Sequence, residues 1–367
     1  MIDVGVIGGG PAGAATAIGL VRRGRGVLLF ERSARPHDKV CGDFLSADSL
    51  AHLERLGVDP RAEGAVPVHT VALRNGRREA AAPLPFPAVS LSRRRLDAAL
   101  LNRAARIGTD VRRGVSVRGL TPTPDGWRVY GDDDTAITCR RIVLATGKLP
   151  MRGVADARDR SMVGLKMRVR LTAPVARALA GRVELMPLAG GYVGLQPIER
   201  GTATVCALLP RGVVAGMPSG WPALADFLMA SPAIAERLAG AIALWDKPLA
   251  VVCPNGGHVD DGDGHFYRVG DRLAHIPPLA GDGIGIALAS AALAVDAITR
   301  EWTAREYHAA ARHLVAAPVR RAGALSWVMG RDWAPALAAW TPTLMRAAAR
   351  ATRVTSHGFQ RLSSGRN

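Results

Sequence analysis

Asp3-Val4-Gly5-Val6-Ile7 runs straight into Gly8-Gly9-Gly10-Pro11-Ala12-Gly13; an alanine-rich stretch follows, and Val27-Leu28-Leu29-Phe30 closes on Glu31. The two apolar runs predict strands, the glycines a turn, and the small-residue stretch a helix. Strand, glycine turn, helix, strand and acid in this order form the unit that holds an adenine dinucleotide. Gly8 permits the tight turn, Gly10 lets the backbone approach a pyrophosphate, and Gly13 lets the helix pack closely on the strands. The helix N-terminus faces the negative charge. Glu31 ends the second strand, where a carboxylate can accept hydrogen bonds from ribose hydroxyls, and Arg32 follows it into the same candidate site.

A chain of 367 residues, 48% apolar, has room for two modest domains with ample core. With a nucleotide-binding strand from residue 2, no secretory signal is expected. The apolar run Gly283 to Ile298 is short and rich in small residues, so it is expected to be a buried helix and not a membrane span. Cys41, Cys139, Cys206 and Cys253 show no paired spacing of the metal or disulfide kind. The expected location is cytoplasmic, with reduced thiols, either free or peripheral to a membrane.

The net charge is +17, yet only four lysines occur, at Lys39, Lys148, Lys166 and Lys247. A GC-rich coding sequence that writes arginine for lysine accounts for much of this balance. The charge is also uneven: from Thr303 to Asn367 ten arginines face only Glu306 and Asp332. Such a surface suits an acidic carrier protein or an anionic membrane. No nucleic-acid module accompanies it, so nucleic acid is not an expected partner.

The fold class expected is α/β, a Rossmann-type nucleotide domain with an inserted antiparallel or mixed β-sheet substrate domain and C-terminal helices. The nucleotide domain is assigned to residues 1–70, 90–150 and 265–300, and the substrate domain to 71–89 and 151–264. Residues 301–367 form a helical region with a frayed tail from Ser356. Ser92 opens a helix whose inner face is marked by Leu96, Leu100, Ala104 and Ala105.

A second motif follows late in the chain. Gly270-Asp271 ends a strand and precedes His275-Ile276-Pro277-Pro278-Leu279-Ala280-Gly281-Asp282-Gly283 and an apolar helix. Here the chain resembles FAD-dependent oxidoreductases of the aromatic-hydroxylase superfamily. That resemblance implies FAD as cofactor, with Asp271 bonding the ribityl hydroxyls and the Gly281–Ile284 backbone facing the flavin pyrimidine edge. The positive end of the following helix would stabilise the anion formed on reduction.

Within the superfamily the chain is most similar to the geranylgeranyl-reductase-like branch, over roughly residues 1 to 300. Lys39-Val40-Cys41-Gly42, Ser92-Arg93-Arg94-Arg95-Leu96-Asp97, Ala145-Thr146-Gly147-Lys148, Gly164-Leu165-Lys166-Met167 and Gly190-Gly191-Tyr192-Val193-Gly194-Leu195 carry the likeness. It implies that Ala12, Glu31, Cys41, Gly42, Phe44, Arg93, Val117, Asp271, Gly283 and Ile284 contact FAD, with Gly147 in a matched segment beside them. Arg93 would neutralise pyrophosphate charge. Val117 would offer its backbone to the adenine.

Two departures bear on substrate and donor. Polyprenyl reductases of the branch carry Tyr-x-Trp-x-Phe-Pro where this chain has Tyr192-Val193-Gly194-Leu195-Gln196-Pro197, which speaks against a long isoprenoid substrate. The hydroxylases carry Asp-Gly where Thr146-Gly147-Lys148 stands here, which speaks against their way of handling NADPH. The Trp-x-Trp-x-Ile-Pro signature of flavin halogenases is absent too. Ala-Thr-Gly-Lys and Gly-Gly-Tyr-Val-Gly-Leu are similar to bacterial flavoproteins of polyketide pathways.

Lys39, Lys148 and Lys166 are either compact amines near the flavin or substrate, or packing residues. Cys41 is either a small contact to the flavin or a group with chemistry of its own. Asp282 is expected to N-cap the helix that follows it. Tyr192 and His258 are the candidate proton-transfer groups, a surface loop histidine being the default reading of His258. His275 precedes the flavin loop. Together these lead to an FAD-dependent monooxygenase or oxidase acting on a hydrophobic unsaturated or phenolic secondary metabolite. The alternatives are a flavin-dependent reductase of a carbon–carbon double bond and a redox-neutral FAD-containing cyclase or binding protein. NADPH or a separate donor would supply electrons, and no metal is expected.

Overall fold

The computed structural model describes residues 1–76, 78–149, 151, 160–188, 190–254, 257–329 and 341–354. The tail from Ser356 lies outside them. The glycine-turn unit forms as the pattern requires: strand Ile2–Ile7, helix Pro11–Val21 and strand Val27–Glu31. Strand Ile2–Ile7 sits centrally, parallel to Val27–Glu31 on one side and to Ala136–Leu144 on the other. Asp110–Arg113 extends this sheet at one edge. Tyr267–Arg268 pairs in parallel with the C-terminal end of Ala136–Leu144, bringing the late glycine–aspartate motif back to the nucleotide domain. An antiparallel hairpin, Val117–Thr123 with Gly126–Gly131, completes the sheet.

Two turns of small residues decide how helices stack here. A Cβ at Gly19 would lie 2.5 Å from Val295 Cγ2, so helix Pro11–Val21 and helix Gly283–Thr299 approach to near backbone contact. Ala14, Ala17, Ala291 and Ala294 are buried at this contact. Leu96, Leu100 and Ala104 of helix Arg93–Arg106 face the same core as expected, but Ala105 is exposed and Leu101 is buried in its place. Each fully buried leucine of this core contributes about 1.5–3 kcal/mol.

The second sheet has nine strands. Its centre is the antiparallel run Met162–Arg170, Thr202–Pro210, Gly191–Ile198 and Arg182–Leu188. Arg182–Leu188 then pairs in parallel with Val66–Asn75, which turns back into Arg78–Ser90. The hairpin therefore begins at Val66, and the domain boundary expected at residue 71 cuts through a strand. Leu249–Cys253 adds at the far side of Met162–Arg170.

Alternation separates the two faces of this sheet. Val163, Leu165, Met167, Val193, Leu195, Val205 and Leu209 pack against Leu224, Leu228, Ile234 and Leu238 of two short helices. The opposite face carries Gly164, Tyr192, Gly194, Gln196, Cys206 and Leu208 and looks toward the nucleotide domain across a cavity. Helix Pro342–Ala351 packs on strand Arg78–Ser90 and sets Met345 between Leu73 and Ala82. The C-terminal region thus closes the cavity instead of standing apart from it.

Candidate active site

One cavity of about 1120 Å³ runs from the glycine turn, past the late aspartate, to the open face of the nine-stranded sheet. Gly8, Gly10, Ala12, Glu31, Arg32, Lys39, Cys41, Gly42 and Phe44 line it. So do Arg93, Val117, Gly147, Tyr192, Asp271, Gly281, Gly283 and Ile284. Of the residues expected to bind or react, Gly13 and His258 stand outside, as does Lys166 of the three lysines. Gly13 has the packing role foreseen for it: a Cβ there would come within 1.9 Å of the Gly8 carbonyl oxygen. Gly8 itself has φ +109, and a Cβ would lie 2.4 Å from the Ala145 carbonyl oxygen. Only glycine fits either position.

His258 is the clear correction. It pairs with His275 in a two-stranded ribbon beside helix Ala304–Met329, away from the cavity lining. His275, on the partner strand, lines the cavity in its place.

Two helix N-termini open on the cavity, and neither is capped by a side chain. Gly10 precedes helix Pro11–Val21, whose first turn holds no acid. Asp282 precedes helix Gly283–Thr299 but makes no cap, a second correction. Its Oδ1 accepts from Ser46 Oγ at 2.9 Å and Arg353 Nη1 at 3.1 Å, and its Oδ2 from Val354 N at 2.9 Å. The first-turn N–H groups of both helices are left without an intrahelical acceptor, facing a space that suits negative charge.

Fixed charges surround these ends. Arg93 lies beside the glycine turn, its Nη2 3.6 Å from where a Gly10 Cβ would stand. Asp97 holds it through Nε at 2.8 Å and Nη2 at 2.9 Å, and Lys39 Nζ joins the same carboxylate at 3.0 Å. Burial alone would raise Asp97; Arg93 and Lys39 outweigh it and hold the carboxyl below the usual range. Glu31 Oε2 accepts from Gly9 N at 2.8 Å and Oε1 from Ser33 N at 3.0 Å, which fixes its carboxylate at the strand end. Each oxygen keeps a lone pair for a ribose hydroxyl.

Lys148 Nζ pairs with Asp271 Oδ2 at 3.3 Å. Burial pushes Asp271 up, and Lys148, then His275, pull it below the ordinary carboxylate range, so it is an ionised acceptor. Burial pushes the Tyr192 phenol well up, so at neutral pH it is a protonated donor and not a base. Cys206 is pushed up to about 12 by burial and stays a thiol.

Sequence reasoning passed over Asp43, although it named Cys41, Gly42 and Phe44 around it. Asp43 is wholly buried and adopts φ 62. Lys166 Nζ reaches its two oxygens at 2.8 and 2.6 Å, Thr204 Oγ1 donates to Oδ2 at 2.7 Å, and Arg93 N to Oδ1 at 3.2 Å. Lys166 therefore does not reach the cavity; it anchors the 39–45 loop to the substrate sheet. A lysine in the apolar strand Met162–Arg170 was the available signal that a buried acid awaited it.

Arg353 was missed as well. Its guanidinium donates to the Ala280 and Gly281 carbonyls at 2.7 and 3.2 Å, pairs with Asp282, and lies 4.7 Å from the Phe86 ring centre. Arg353→Met leaves the Asp282 carboxylate buried without its cation, and should destabilise the protein at neutral pH by about 3–5 kcal/mol. Burial already raises Asp282 and Arg353 lowers it. A carboxyl raised in the folded state favours folding below its unfolded pKa, and that support is lost as pH rises through the folded value. The deficit of Arg353→Met should therefore shrink as pH falls through the carboxylate range. Urea unfolding at several pH values reads it, and a deficit constant with pH contradicts it.

The residues present fit FAD. The glycine cradle admits a close backbone approach, two uncapped helix ends and Arg93 await anionic groups, and Glu31 and Asp271 offer ionised acceptors. Residues 1–149 match the family of FAD binding domains. That likeness takes in the glycine turn, Glu31, Arg93 and Val117, and ends before Asp271.

A menaquinone reductase of Mycolicibacterium smegmatis is 28% identical over 317 residues, 81% of this chain and 76% of that protein. A digeranylgeranylglycerophospholipid reductase of Methanococcus vannielii is 23% identical over 83% of this chain and 78% of its own. Among solved structures, a flavin-dependent brominase superposes with TM-score 0.78 at 17% identity, covering 99% of this chain and 96% of that one. The myxobacterial chondrochloren halogenase CndH superposes with TM-score 0.76 at 20% identity, covering 99% and 95%. At those identities the structural likeness speaks for the fold alone. What they share with this chain is the mixed α/β architecture, a nucleotide-type domain joined to a second sheet.

Proposed function

We propose that this flavoprotein transfers electrons between FAD and an apolar, unsaturated small molecule held against the open face of the nine-stranded sheet. One observation carries the reading: a single cavity joins both uncapped helix ends and Asp271 to a wall of Val71, Leu73, Val183, Leu185 and Leu208. Bound FAD would supply the redox chemistry. Arg93 and the helix at Pro11 would hold its pyrophosphate, and Asp271 its ribityl hydroxyls. The N-terminus of helix Gly283–Thr299 would bear on the charge that reduction places at the pyrimidine edge. Tyr192, kept protonated by its surroundings, can give a proton to the substrate.

The relatives that align over four-fifths of the chain are named as reductases, which supports hydrogenation of a carbon–carbon double bond as the first reading. Oxygenation of a phenolic ring is the second, supported by Gly194 and Gln196 at positions where the polyprenyl reductases carry aromatic side chains. A polyketide-like metabolite remains within that second reading. The electron donor, NADPH or a redox partner, would act from outside the cavity.

The experiment is a mass measurement. FAD-loaded enzyme is photoreduced without oxygen and mixed with a short polyprenyl naphthoquinone, and the run is repeated with oxygen. After air has returned any hydroquinone to the quinone, a product from the anaerobic run still heavier by two hydrogen atoms supports saturation of the double bond; one heavier by an oxygen atom, formed only when oxygen is present during turnover, supports oxygenation. Flavin that no apolar substrate reoxidises removes both. Among the described residues no helix is long and apolar enough to cross a membrane. The exposed Trp327 and Leu344, with Arg346 and Arg350 on the closing helix, would suit substrate delivery from an anionic membrane or an acidic carrier.

A further inference from the structure

We infer that Gln196 recognises an oxygen acceptor, a quinone carbonyl or a phenolic oxygen, on a flat apolar substrate that lies over Gly194. The inference rests on the substrate reading of the cavity and names the chemistry that reading leaves open. Gln196 is 2% exposed and lines the cavity, and its Nε2 has no hydrogen-bond partner among the described residues. A buried amide without a partner is costly, and such a group in a cavity wall is matched by a ligand.

Its neighbours do not satisfy it. Thr204, directly across the strand pair, points its hydroxyl at Asp43 and makes no hydrogen bond with the amide nitrogen. Val183 and Val71 follow in the other direction across the sheet and offer only apolar surface. The amide nitrogen is therefore left without an acceptor just behind an apolar stretch of the cavity wall.

Gly194 precedes Gln196 by two residues, so both face the cavity, while Val193 and Leu195 face the opposite core. A Cβ at Gly194 would meet Leu185 Cδ2 at 3.6 Å and the Cys206 carbonyl oxygen at 3.8 Å, ordinary contacts. The backbone does not demand glycine there. The missing side chain leaves that stretch of the wall, beside the amide, low enough for the face of a flat ring to approach the backbone. Tyr192 lies at the other end of the same strand face.

The test uses the FAD-loaded enzyme and two probes of one shape, 2-methyl-1,4-naphthoquinone and 2-methylnaphthalene, followed by perturbation of the flavin absorbance band. Gln196→Leu, which keeps the volume and removes the amide, should weaken the quinone about tenfold, one hydrogen bond's worth, and leave the hydrocarbon unchanged or tighter. Gln196→Glu should weaken the quinone at least as much, since a carboxylate offers no donor to a carbonyl. Gly194→Trp should exclude both probes and retain the flavin spectrum. Quinone binding by Gln196→Leu or Gln196→Glu equal to the parent's overturns the hydrogen bond while sparing the cavity. Failure of the parent to bind either probe, with its flavin in place, overturns the substrate reading and this inference with it.

Discussion

Gly10→Val is expected to give a folded protein that has lost its yellow colour. Gly10 has φ −71 and ψ −176, backbone that any residue adopts. A Cβ there meets only Arg93 Nη2, at 3.6 Å. The chain itself therefore tolerates the side chain, and the flavin-free protein should melt within about 2 °C of the parent, in keeping with a surface substitution. The isopropyl group stands between the open end of helix Pro11–Val21 and the Arg93 guanidinium, where the pyrophosphate must come. Losing that approach should weaken FAD at least about a hundredfold, roughly 2.7 kcal/mol. Gly13→Val is the counterpart, because its Cβ cannot coexist with the Gly8 carbonyl 1.9 Å away. It should fail at the level of folding. Visible spectra and thermal melts of the two variants separate binding from packing. A Gly10→Val protein that purifies with the parent's flavin content would place the dinucleotide elsewhere.

The second large effect sits beneath the site. Asp43→Asn keeps the shape and the left-handed backbone, which asparagine tolerates well, but strips the Lys166 ammonium of its counter-charge. Lys166 is wholly buried, and would keep only neutral acceptors, the asparagine Oδ1 and the Lys39 carbonyl at 3.2 Å. Breaking a buried pair from one side costs about 3–5 kcal/mol. Because the pair ties the 39–45 loop to the sheet, flavin affinity should fall together with stability: Cys41, Gly42 and Phe44 lose their anchor. Asp43→Asn combined with Lys166→Met should recover part of the loss, since no uncompensated charge remains. Urea unfolding of the two single variants and the double variant measures the coupling. Strict additivity would mean that the two side chains do not act as a pair in solution.

Local patterns reached far into this protein. The glycine turn, Glu31 and the late Gly270-Asp271 pair were legible because the chemistry that uses them is written in short, contiguous stretches. Glycine spacing, an apolar run and a charged end suffice to specify a strand–turn–helix unit. The strand around Tyr192 was legible as a strand too, while the facing of Tyr192, Gly194 and Gln196 toward the cavity came with the assembled sheet.

What the chain order could not convey is who meets whom across long separations. Asp282 stands where a cap belongs, yet its carboxylate is taken by Ser46 and Arg353, hundreds of residues apart in sequence from each other. Lys166 was readable as a site amine or as a packing residue until Asp43 closed over it, and His258 as a proton-transfer group or a loop histidine until pairing with His275 set it in a ribbon outside the cavity lining. Helix Pro342–Ala351 gave no sign that it would wall the cavity. The nucleotide cradle follows from backbone geometry imposed by neighbours in the chain, and so the sequence by itself determined it. The partners of buried charges, and which polar group is left without one, depend on the desolvation balance at each assembled contact, and only the tertiary structure decided those.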